Sequence, residues 1–515
     1  MAKFDSSPYT QLTSPARGDI QGVIKDISES LPENQTKYAE LQDLMKFGPW
    51  ASKLLAVTAS GNVTLLDTDP MFVEINPNGS NRDVSFPAKG DDNHGYFVHH
   101  VGSANTLTLK RSGGAVITTI SAGEIKYIKP SSANDFSALG GVGVSAFAGR
   151  LSGQAGAAVP LEDLTALASL VLTPYKGRTL PIYDGSDFTQ TTFTEMTLAL
   201  NATPHPANTN HDVFFFNDAG TKRIGSVKWR NSGQAITAAT NANPCVITAN
   251  SHGIQANDVV SVLLIFTNTI YYGEYTASSV ATNTITFNGI NSTSDGAFTA
   301  GFINCRGVGS GTPELEIVNG VHVNKNQITA YYSASSATVA ARYGTYLGTF
   351  RASASAQTES GKRRRFIWNA HNRESLGLLK KESTDSWAYS TATYRQVRAD
   401  ATNQLEIVAG LGGQWISLQA FLPAYNSAGG VFPRVSIGES NATVPSGNGN
   451  ITGAPGSAAN KQGFGVASVK VQILPGYWYF TWLERDDTGS GTTTWMGDNG
   501  LPDIVQAAMM GDWQC

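Results

Sequence analysis

Short runs that alternate apolar and polar residues recur along most of the chain and end at Gly or Asn. Examples are Phe72 to Ile75, Thr106 to Leu109 and Val116 to Ile120. A period of two places neighbouring side chains on opposite faces of a strand, whereas a helix needs apolar residues three and four apart. The chain also has 53 Gly residues and 15% charged residues, compared with roughly 25% charged residues in a typical soluble chain. This pattern predicts a mainly β protein with many turns.

The N-terminal region differs from the rest because its apolar residues recur at helical spacing. Two short stripes are formed by Ile20, Val23, Ile24, Ile27, Leu41 and Leu44. They predict a short helical N-terminal arm with these residues as candidate docking contacts. Two roles stay open for the arm: attachment to another protein, or a helical lid on its own domain.

Composition and strand spacing divide the chain into five segments. They are an N-terminal arm at 1–50, a small all-β module at 51–135, a Gly-, Ala- and Ser-rich linker at 136–162, a discontinuous main domain at 163–234 and 312–515, and a second small all-β module at 235–311 inserted into it. An insertion between two strands requires its ends to lie close together, which paired first and last strands provide. The predicted fold class is a multi-domain chain of antiparallel β-sandwich-like modules with a short helical arm. The alternation around Gly61 and Asn62 predicts a hairpin.

The segment from Gly344 to Arg373 joins two strand-like runs. Aromatic residues before Ala352 indicate a strand, 352–361 predicts an exposed crossing loop, and Phe366 to Trp368 predicts a short buried strand. Between the loop and the second strand lie four adjacent cations, Lys362, Arg363, Arg364 and Arg365. Adjacent cations repel unless they are solvated or matched by acids, so this run is either an exposed face or an interface.

Three sequence stretches resemble phage virion proteins usually described as tail fibre or minor structural proteins. The stretches are TPYKGRTLPIYDGSDFTQTTFTEMTLAL, YLGTFR…QTES…KRRRFIWNAHNR and GTTTWMGDNG, in that order across much of residues 150 to 515. The stretch INPNGSNRDVSFPAKG resembles a structural or adhesive module of phage fibres and tails. The resemblance implies a non-enzymatic tail fibre in the virion, whose arm binds other virion proteins and whose β domains face a host surface glycan or protein.

Two alternatives to the tail fibre stay open, namely a capsid-bound decoration or head fibre protein and a tailspike that degrades surface polysaccharide. The small-residue linker and the alternating aromatics additionally predict a homotrimer, because homo-oligomers close by symmetry and three copies strengthen a weak contact.

Residues capable of chemistry are present but form no recognisable catalytic motif, and we predict no catalytic, metal or cofactor site. His94, His99 and His100 lie close in sequence, but adjacent histidines in a strand point to opposite faces. Cys245 and Cys305 flank the inserted module and are either bridged or two buried thiols. The acids Glu484, Asp486, Asp487 and Asp498 lie near Trp482 and Trp495. They are either solvated turn residues or the paired acids of a glycan hydrolase.

Charge and hydropathy exclude two classes of partner. A net charge of -4 and a pI near 6.1 provide no basic field for nucleic acid. No apolar run approaches the roughly 20 residues that cross a bilayer, so we expect no membrane insertion.

The candidate host-surface contacts are Trp495, Asp498 and Asn499 in TTTWMGDNG. An aromatic ring stacks on a sugar ring, and neighbouring Asp and Asn side chains hydrogen-bond its hydroxyls. The alternative for Trp495 is a place in the core of a β-sandwich.

Overall fold

The computed structural model describes residues 55–66, 72–87, 96–102, 105–130, 136–139, 147–447, 458–487, 490–498 and 506–515. The chain divides into two units, Met1–Gly143 and Val144–Cys515. Their described residues are mainly β, as the alternation predicts, with a short 3-10 helix at Val397–Ala399. The predicted helical arm lies outside the described residues. Within the described ranges, no helix is long and apolar enough to span a membrane.

Two sheets of the first unit enclose one apolar core. The strands are β1 (Leu55–Thr58), β2 (Val63–Thr64), β3 (Phe72–Asn76), β4 (Arg82–Ser85), β5 (Tyr96–His100), β6 (Thr106–Lys110), β7 (Val116–Ser121), β8 (Ile125–Pro130) and β9 (Phe136–Leu139). One sheet has the order β1-β3-β5-β8-β9 and the other β2-β4-β6-β7. Val73, Val84 and Leu107 are fully buried in the core.

The early strands of this unit pair in parallel, although the sequence predicts antiparallel modules. β1, β3 and β5 run parallel in one sheet, and β2, β4 and β6 run parallel in the other. Consecutive strands from β1 to β6 alternate between the two sheets. Each strand from β3 to β6 therefore lies beside the strand two places earlier in the chain and runs in the same direction. The predicted hairpin around Gly61 and Asn62 is wrong, since β1 and β2 lie in different sheets.

The second unit contains thirty-three strands among its described residues. Its first part comprises β10 (Gly149–Ser152), β11 (Leu164–Leu167), β12 (Ser169–Pro174), β13 (Thr179–Tyr183), β14 (Phe188–Thr192), β15 (Met196–Ala199), β16 (Asn210–Asp218), β17 (Thr221–Lys228), β18 (Asn231–Ala235), β19 (Ala238–Ala239), β20 (Cys245–Thr248), β21 (Val259–Phe266), β22 (Ile270–Val280), β23 (Thr284–Phe287), β24 (Phe298–Cys305), β25 (Leu315–Val318), β26 (Val321–Asn324), β27 (Ile328–Tyr332) and β28 (Ser335–Val339).

The second part comprises β29 (Thr345–Arg351), β30 (Thr358–Ser360), β31 (Arg364–Arg365), β32 (Ile367–Asn369), β33 (Ser375–Lys381), β34 (Ser386–Ala388), β35 (Arg395–Gln396), β36 (Gln404–Ala409), β37 (Gln414–Asn426), β38 (Arg434–Glu439), β39 (Gly463–Ile473), β40 (Gly476–Arg485), β41 (Thr493–Met496) and β42 (Ala508–Gln514).

These strands form six sheets. The two small ones are β10-β12-β15 and β13-β14, and the four larger ones are β25-β26-β29-β16-β17-β27-β28 with β32 on β29, β18-β24-β21-β22-β23-β20-β19, β11-β30-β31-β36-β40-β35 with β38 on β40, and β33-β42-β37-β41-β34 with β39 on β37. β10 falls within the predicted linker, and all four of its residues are buried. Small residues there do not prevent a buried strand because neighbouring strands supply the apolar contacts.

β29 is buried along its whole length and pairs antiparallel with β16 and β32. Gly348 allows the close approach of β32, since a Cβ there would lie 2.2 Å from the Trp368 carbonyl oxygen. The predicted buried strand at Phe366 to Trp368 is confirmed by the three buried residues of β32. The predicted exposed loop is wrong in part, because Ala352 is buried and Thr358 is a buried residue of β30.

Residues 231–305 form one seven-stranded sheet with a core of its own. Asn231 pairs with Cys305, so the ends of this segment are adjacent. Cys245 and Cys305 are buried free thiols. The segment also contacts the rest of the unit, because Leu263, Ile265 and Phe302 belong to the largest apolar cluster.

The sheet containing β33, β42, β37 and β39 covers that cluster with one face. Along β37, Ile416 and Leu418 point inward and are fully buried, whereas Trp415 and Ser417 point outward. The inward side chains pack in one core with Trp478 and other aromatics of β40, so the two sheets form a sandwich. The opposite face of the four strands exposes alternate residues of β37, β39 and β42, although Pro423 and Ala508 on the same face are buried.

Candidate functional site

Among the predicted host-contact residues of TTTWMGDNG, Trp495 does not lie at the surface. Trp495 is fully buried in β41, and its indole N–H donates to the Tyr389 carbonyl oxygen at 3.0 Å. Asp498 is half-buried, and its backbone N–H donates to the Thr384 carbonyl oxygen at 3.1 Å. Asn499 lies outside the described residues. The Trp495 ring is therefore a core group and is not available for stacking on a sugar.

The predicted basic interface residues, Lys362 to Arg365, contact acids and carbonyl groups of their own chain. The Lys362 backbone N–H donates to Asp163 Oδ1 at 2.8 Å, and Arg365 Nη2 donates to the Gly377 carbonyl oxygen at 2.9 Å. Arg363 and Arg364 both donate to Glu406 Oε1, at 3.1 and 2.7 Å.

Glu406 is the acid that anchors this basic run. Burial alone would raise the pKa of its carboxyl, but the Arg364 guanidinium and the Tyr477 hydroxyl outweigh burial and hold the pKa below its ordinary value. The Arg363 and Arg364 side chains are nevertheless about one-third exposed. Part of each cation therefore faces solvent while its charge is matched within the chain.

The predicted docking residues, Ile20, Val23, Ile24, Ile27, Leu41 and Leu44, lie outside the described residues, as does His94. His99 and His100 point to opposite faces of β5. His99 Nδ1 lies 3.1 Å from Glu74 Oε1, and His100 Nδ1 accepts the Gly102 backbone N–H at 3.1 Å. In the part of the chain that the structure describes, no group of three or more His, Cys, Asp or Glu residues could hold a metal ion.

Two acids of the sequence cluster near Trp482 are fully buried and hydrogen-bonded. Glu484 accepts from Trp387 Nε1 at 2.7 Å and from Arg395 Nε at 2.8 Å. Burial raises the pKa of the Glu484 carboxyl to about 7, and the Arg395 guanidinium opposes part of that rise. Asp486 accepts from the Thr493 hydroxyl at 2.6 Å. A general acid must reach the atom that it protonates, and these two side chains have no exposed surface.

A different surface carries a cluster of exposed apolar side chains. We define the outer face as the solvent-facing side of β33, β42, β37 and β39. It presents Trp415, Phe464, Val466 and Met510, which are 57%, 63%, 40% and 40% exposed. These are four of the fourteen large apolar side chains exposed among the described residues, and the other ten are distributed over the rest of those residues. The outer face is therefore the main local concentration of exposed apolar groups.

Strand register determines which residues of the outer face are neighbours. β37 pairs with β39 over eleven positions, from Gln414 with Ile473 to Ala424 with Gly463. On its other side, β37 pairs with β42, which in turn pairs with β33. Across the strands, Gln419 lies between Ser468 and Met510, and one step of the pleat away Ser417 lies between Lys470 and Asp512. Amide, hydroxyl and charged groups thus separate Trp415 from Phe464 and Val466, which are neighbours at alternate positions of β39.

Trp415 lies at one end of the outer face and Phe464 at the other. Trp415 pairs with Gln472, and Phe464 pairs with Pro423. Gln472 and Phe464 are eight residues apart along β39, which corresponds to about 27 Å at the usual rise of a strand. The Lys470 ammonium lies 5.6 Å from the centre of the Trp415 ring, a distance suited to a cation–π contact.

The residues from Trp415 to Phe421 alternate in the way typical of a strand, but no candidate site was assigned to them from the sequence. The signal that could have located the site is that two paired strands each place an aromatic residue on the same face. Alternate positions read W-S-Q-F from Trp415 to Phe421 and F-V-S-K-Q from Phe464 to Gln472. This signal becomes visible only when the register of β37 and β39 is known.

No protein-family model and no curated protein matches the sequence. Solved structures with some likeness include the insecticidal delta-endotoxin Cry8Ea1 from Bacillus thuringiensis, at 10% identity and a TM-score of 0.17, covering 66% of this chain and 59% of the toxin chain. The structure of infectious bursal disease virus, Gx strain, gives 9% identity and a TM-score of 0.16, covering 68% of this chain and 74% of the viral chain. The structure of the lipid-containing bacteriophage PM2 gives 11% identity and a TM-score of 0.14, covering 56% of this chain and 98% of the phage chain. TM-scores of this size do not establish a shared fold.

Proposed function

We propose that this chain is a non-enzymatic structural protein of a phage particle, a tail fibre that docks through residues 1–50 and contacts the host surface with its β domains. The outer face carries the proposal. Many acids and cations elsewhere in the second unit are paired within the chain, as Arg364 is with Glu406. The outer face instead presents one concentrated patch of aromatic, amide and hydroxyl groups. Exposed patches of this kind mark interaction sites.

Three further observations support the proposal. The resemblance of the YLGTFR, FIWN and TTTWMGDNG stretches is to virion fibre proteins. The alternation of short strands yields a mainly β scaffold. Glu484 and Asp486, the acids that a tailspike hydrolase would expose, are fully buried beside their partners.

The test combines location with adsorption. Gold-labelled antibody against the C-terminal unit, applied to particles that carry this chain, should label the tail in electron micrographs. Label on the capsid would instead identify a decoration or head fibre protein. The purified full chain should compete with particles for adsorption to host cells, and absence of competition would contradict the attachment role. Release of soluble sugar from host cells by the purified chain would contradict the non-enzymatic role.

A further inference from the structure

We propose that the outer face binds a surface polysaccharide, with the sugar chain lying along β37 and β39 between Trp415 and Phe464. This inference rests on the proposed attachment function and adds the chemical class of the ligand and the residues that contact it.

The shape of the face favours an extended polymer. Four adjacent strands form a broad surface that is exposed along β39 from Phe464 to Gln472, and β37 and β39 remain paired over eleven positions. Eleven strand residues extend over about 37 Å. An enclosed pocket would suit a small molecule, whereas an open face of this length allows several consecutive sugar units to make contact.

The distribution of side chains matches the two kinds of surface on a sugar. A pyranose ring has an apolar face of C–H groups and an edge of hydroxyl groups. Trp415 and Phe464 provide exposed rings for the apolar faces. Ser417, Gln419 and Gln472 lie on the same side of the sheet and provide donors and acceptors for the hydroxyls.

The charges of the outer face favour a polymer of low net charge. Lys470 and Asp512 lie on opposite sides of Ser417, so one cation and one anion are close to the centre. Lys381, which pairs with Ala508, adds a cation near the end of β42. A polyanion such as nucleic acid requires a basic stripe, which three charges of mixed sign do not form.

A second copy of the chain is a less suitable occupant. The buried centre of a stable protein interface is depleted of charged residues, whereas here Lys470, Ser417 and Asp512 form a polar row directly beside Gln419, the middle outward residue of β37. A standard interface also buries about 800 Å² on each partner with a well-packed apolar core. Of the four exposed apolar side chains, Phe464 and Val466 are neighbours on β39, but the polar rows of Ser417 and Gln419 separate them from Trp415, so the four do not form one such core.

The experiment measures binding of the full-length chain to immobilised polysaccharide purified from the host surface, either lipopolysaccharide or capsule. Trp415→Ala and Phe464→Ala should each weaken binding about tenfold or more, the change expected when a principal contact is removed. Phe432→Ala is the matched control, since Phe432 is 43% exposed but follows β37 in a loop before β38. The control should bind like wild type, and all three variants should keep the wild-type melting temperature.

Treatments of whole host cells distinguish the ligand classes. Periodate, which cleaves sugar diols, should abolish binding of the wild-type chain, whereas protease treatment should leave it intact. The reverse result would identify a protein receptor and overturn the inference. Wild-type binding by both aromatic variants would also overturn it, as would a change in oligomeric mass caused by Trp415→Ala, which would assign the face to contacts between copies. Failure of the wild-type chain to bind untreated host cells would instead contradict the proposed attachment function.

Discussion

At the residue scale, Trp495 and Trp415 have opposite environments in one domain. Trp495 is fully buried and donates to the Tyr389 carbonyl oxygen, whereas Trp415 is 57% exposed. We expect Trp495→Ala to lower the free energy of unfolding by about 3 to 5 kcal/mol, because it leaves a large cavity. Trp415→Ala should change it by less than about 1 kcal/mol. Denaturant unfolding of both variants tests this difference, and equal stability of the two would contradict it.

Glu484 gives a prediction for the pH dependence of stability. Its folded-state pKa is raised from 4.5 to about 7, mainly by burial, so the folded state holds the proton more tightly than the unfolded state. The stabilisation from this group is complete below pH 4.5 and is lost as pH rises toward 7. The free energy of unfolding should therefore fall by about 3 kcal/mol over this pH range through Glu484.

The measurement compares wild type with Glu484→Gln, which cannot ionise. The free energy of unfolding of wild type, relative to the variant, should fall between pH 4.5 and pH 7. Parallel pH profiles for the two proteins would show that Glu484 does not titrate in this range. Asp487→Asn is a suitable control, because Asp487 is paired with Arg434 nearer the surface.

Sequence reasoning is weakest for the exposure of individual side chains. TTTWMGDNG contains an aromatic beside polar residues, a pattern equally typical of a surface site and of an inward-pointing residue in a strand. The burial of Trp495 depends on residues more than 100 positions earlier in the chain. Tyr389 accepts its indole N–H, and Trp387 pairs with it across the neighbouring strand. Pairing of Arg363 and Arg364 with Glu406 likewise depends on a strand pairing that a local pattern does not contain.

At the element scale, strand positions were predicted better than strand partners, although the first and last strands of the segment at 231–305 pair as expected. The alternating runs Phe72 to Ile75, Thr106 to Leu109 and Val116 to Ile120 lie within β3, β6 and β7. Alternation is a local property, so the sequence contains it directly. The parallel pairing in the first unit depends on each connection crossing to the other sheet, which alternation does not encode.

The segment between β18 and β24 provides a prediction at this scale. Its sequence suggests a separable module, but Arg306, just after β24, donates to Asp212 Oδ2 at 2.6 Å, and Asn304 Nδ2 donates to the Tyr477 carbonyl oxygen at 3.0 Å. Deleting residues 234–311 would leave the fully buried Asp212 without its cation and remove Phe302 from the core. Breaking a buried ion pair alone costs about 3 to 5 kcal/mol. We therefore expect the deletion variant to be insoluble or to melt well below wild type.

A point variant separates the lost ion pair from the lost packing. Arg306→Met should destabilise the chain strongly, and adding Asp212→Asn should recover part of the loss because the buried charge is removed. If the deletion variant melts at the wild-type temperature, the segment is an independent module and the contacts to Asp212 and Tyr477 contribute little.

At the scale of the whole molecule, the outer face and the number of copies are linked. A shallow face that contacts sugars through a few rings and amides binds weakly by itself, because little of each partner is desolvated. Linking several such faces makes the second and third contacts intramolecular, which can raise the apparent affinity about 10²- to 10⁴-fold. Cyclic symmetry provides a simple way to link identical chains.

We therefore predict that the purified full-length chain is a homotrimer. Light scattering at micromolar concentration should give a mass three times that of the 54.6 kDa chain, and a mass of one chain would contradict the prediction. Because the outer face is assigned to the ligand, Trp415→Ala should leave the trimer mass unchanged while it weakens binding to host cells. If dilution produces single chains, their binding to host cells should be at least about a hundredfold weaker than that of the trimer, since avidity is lost while each outer face remains intact. Equal binding by single chains and trimers would show that one face is sufficient for attachment.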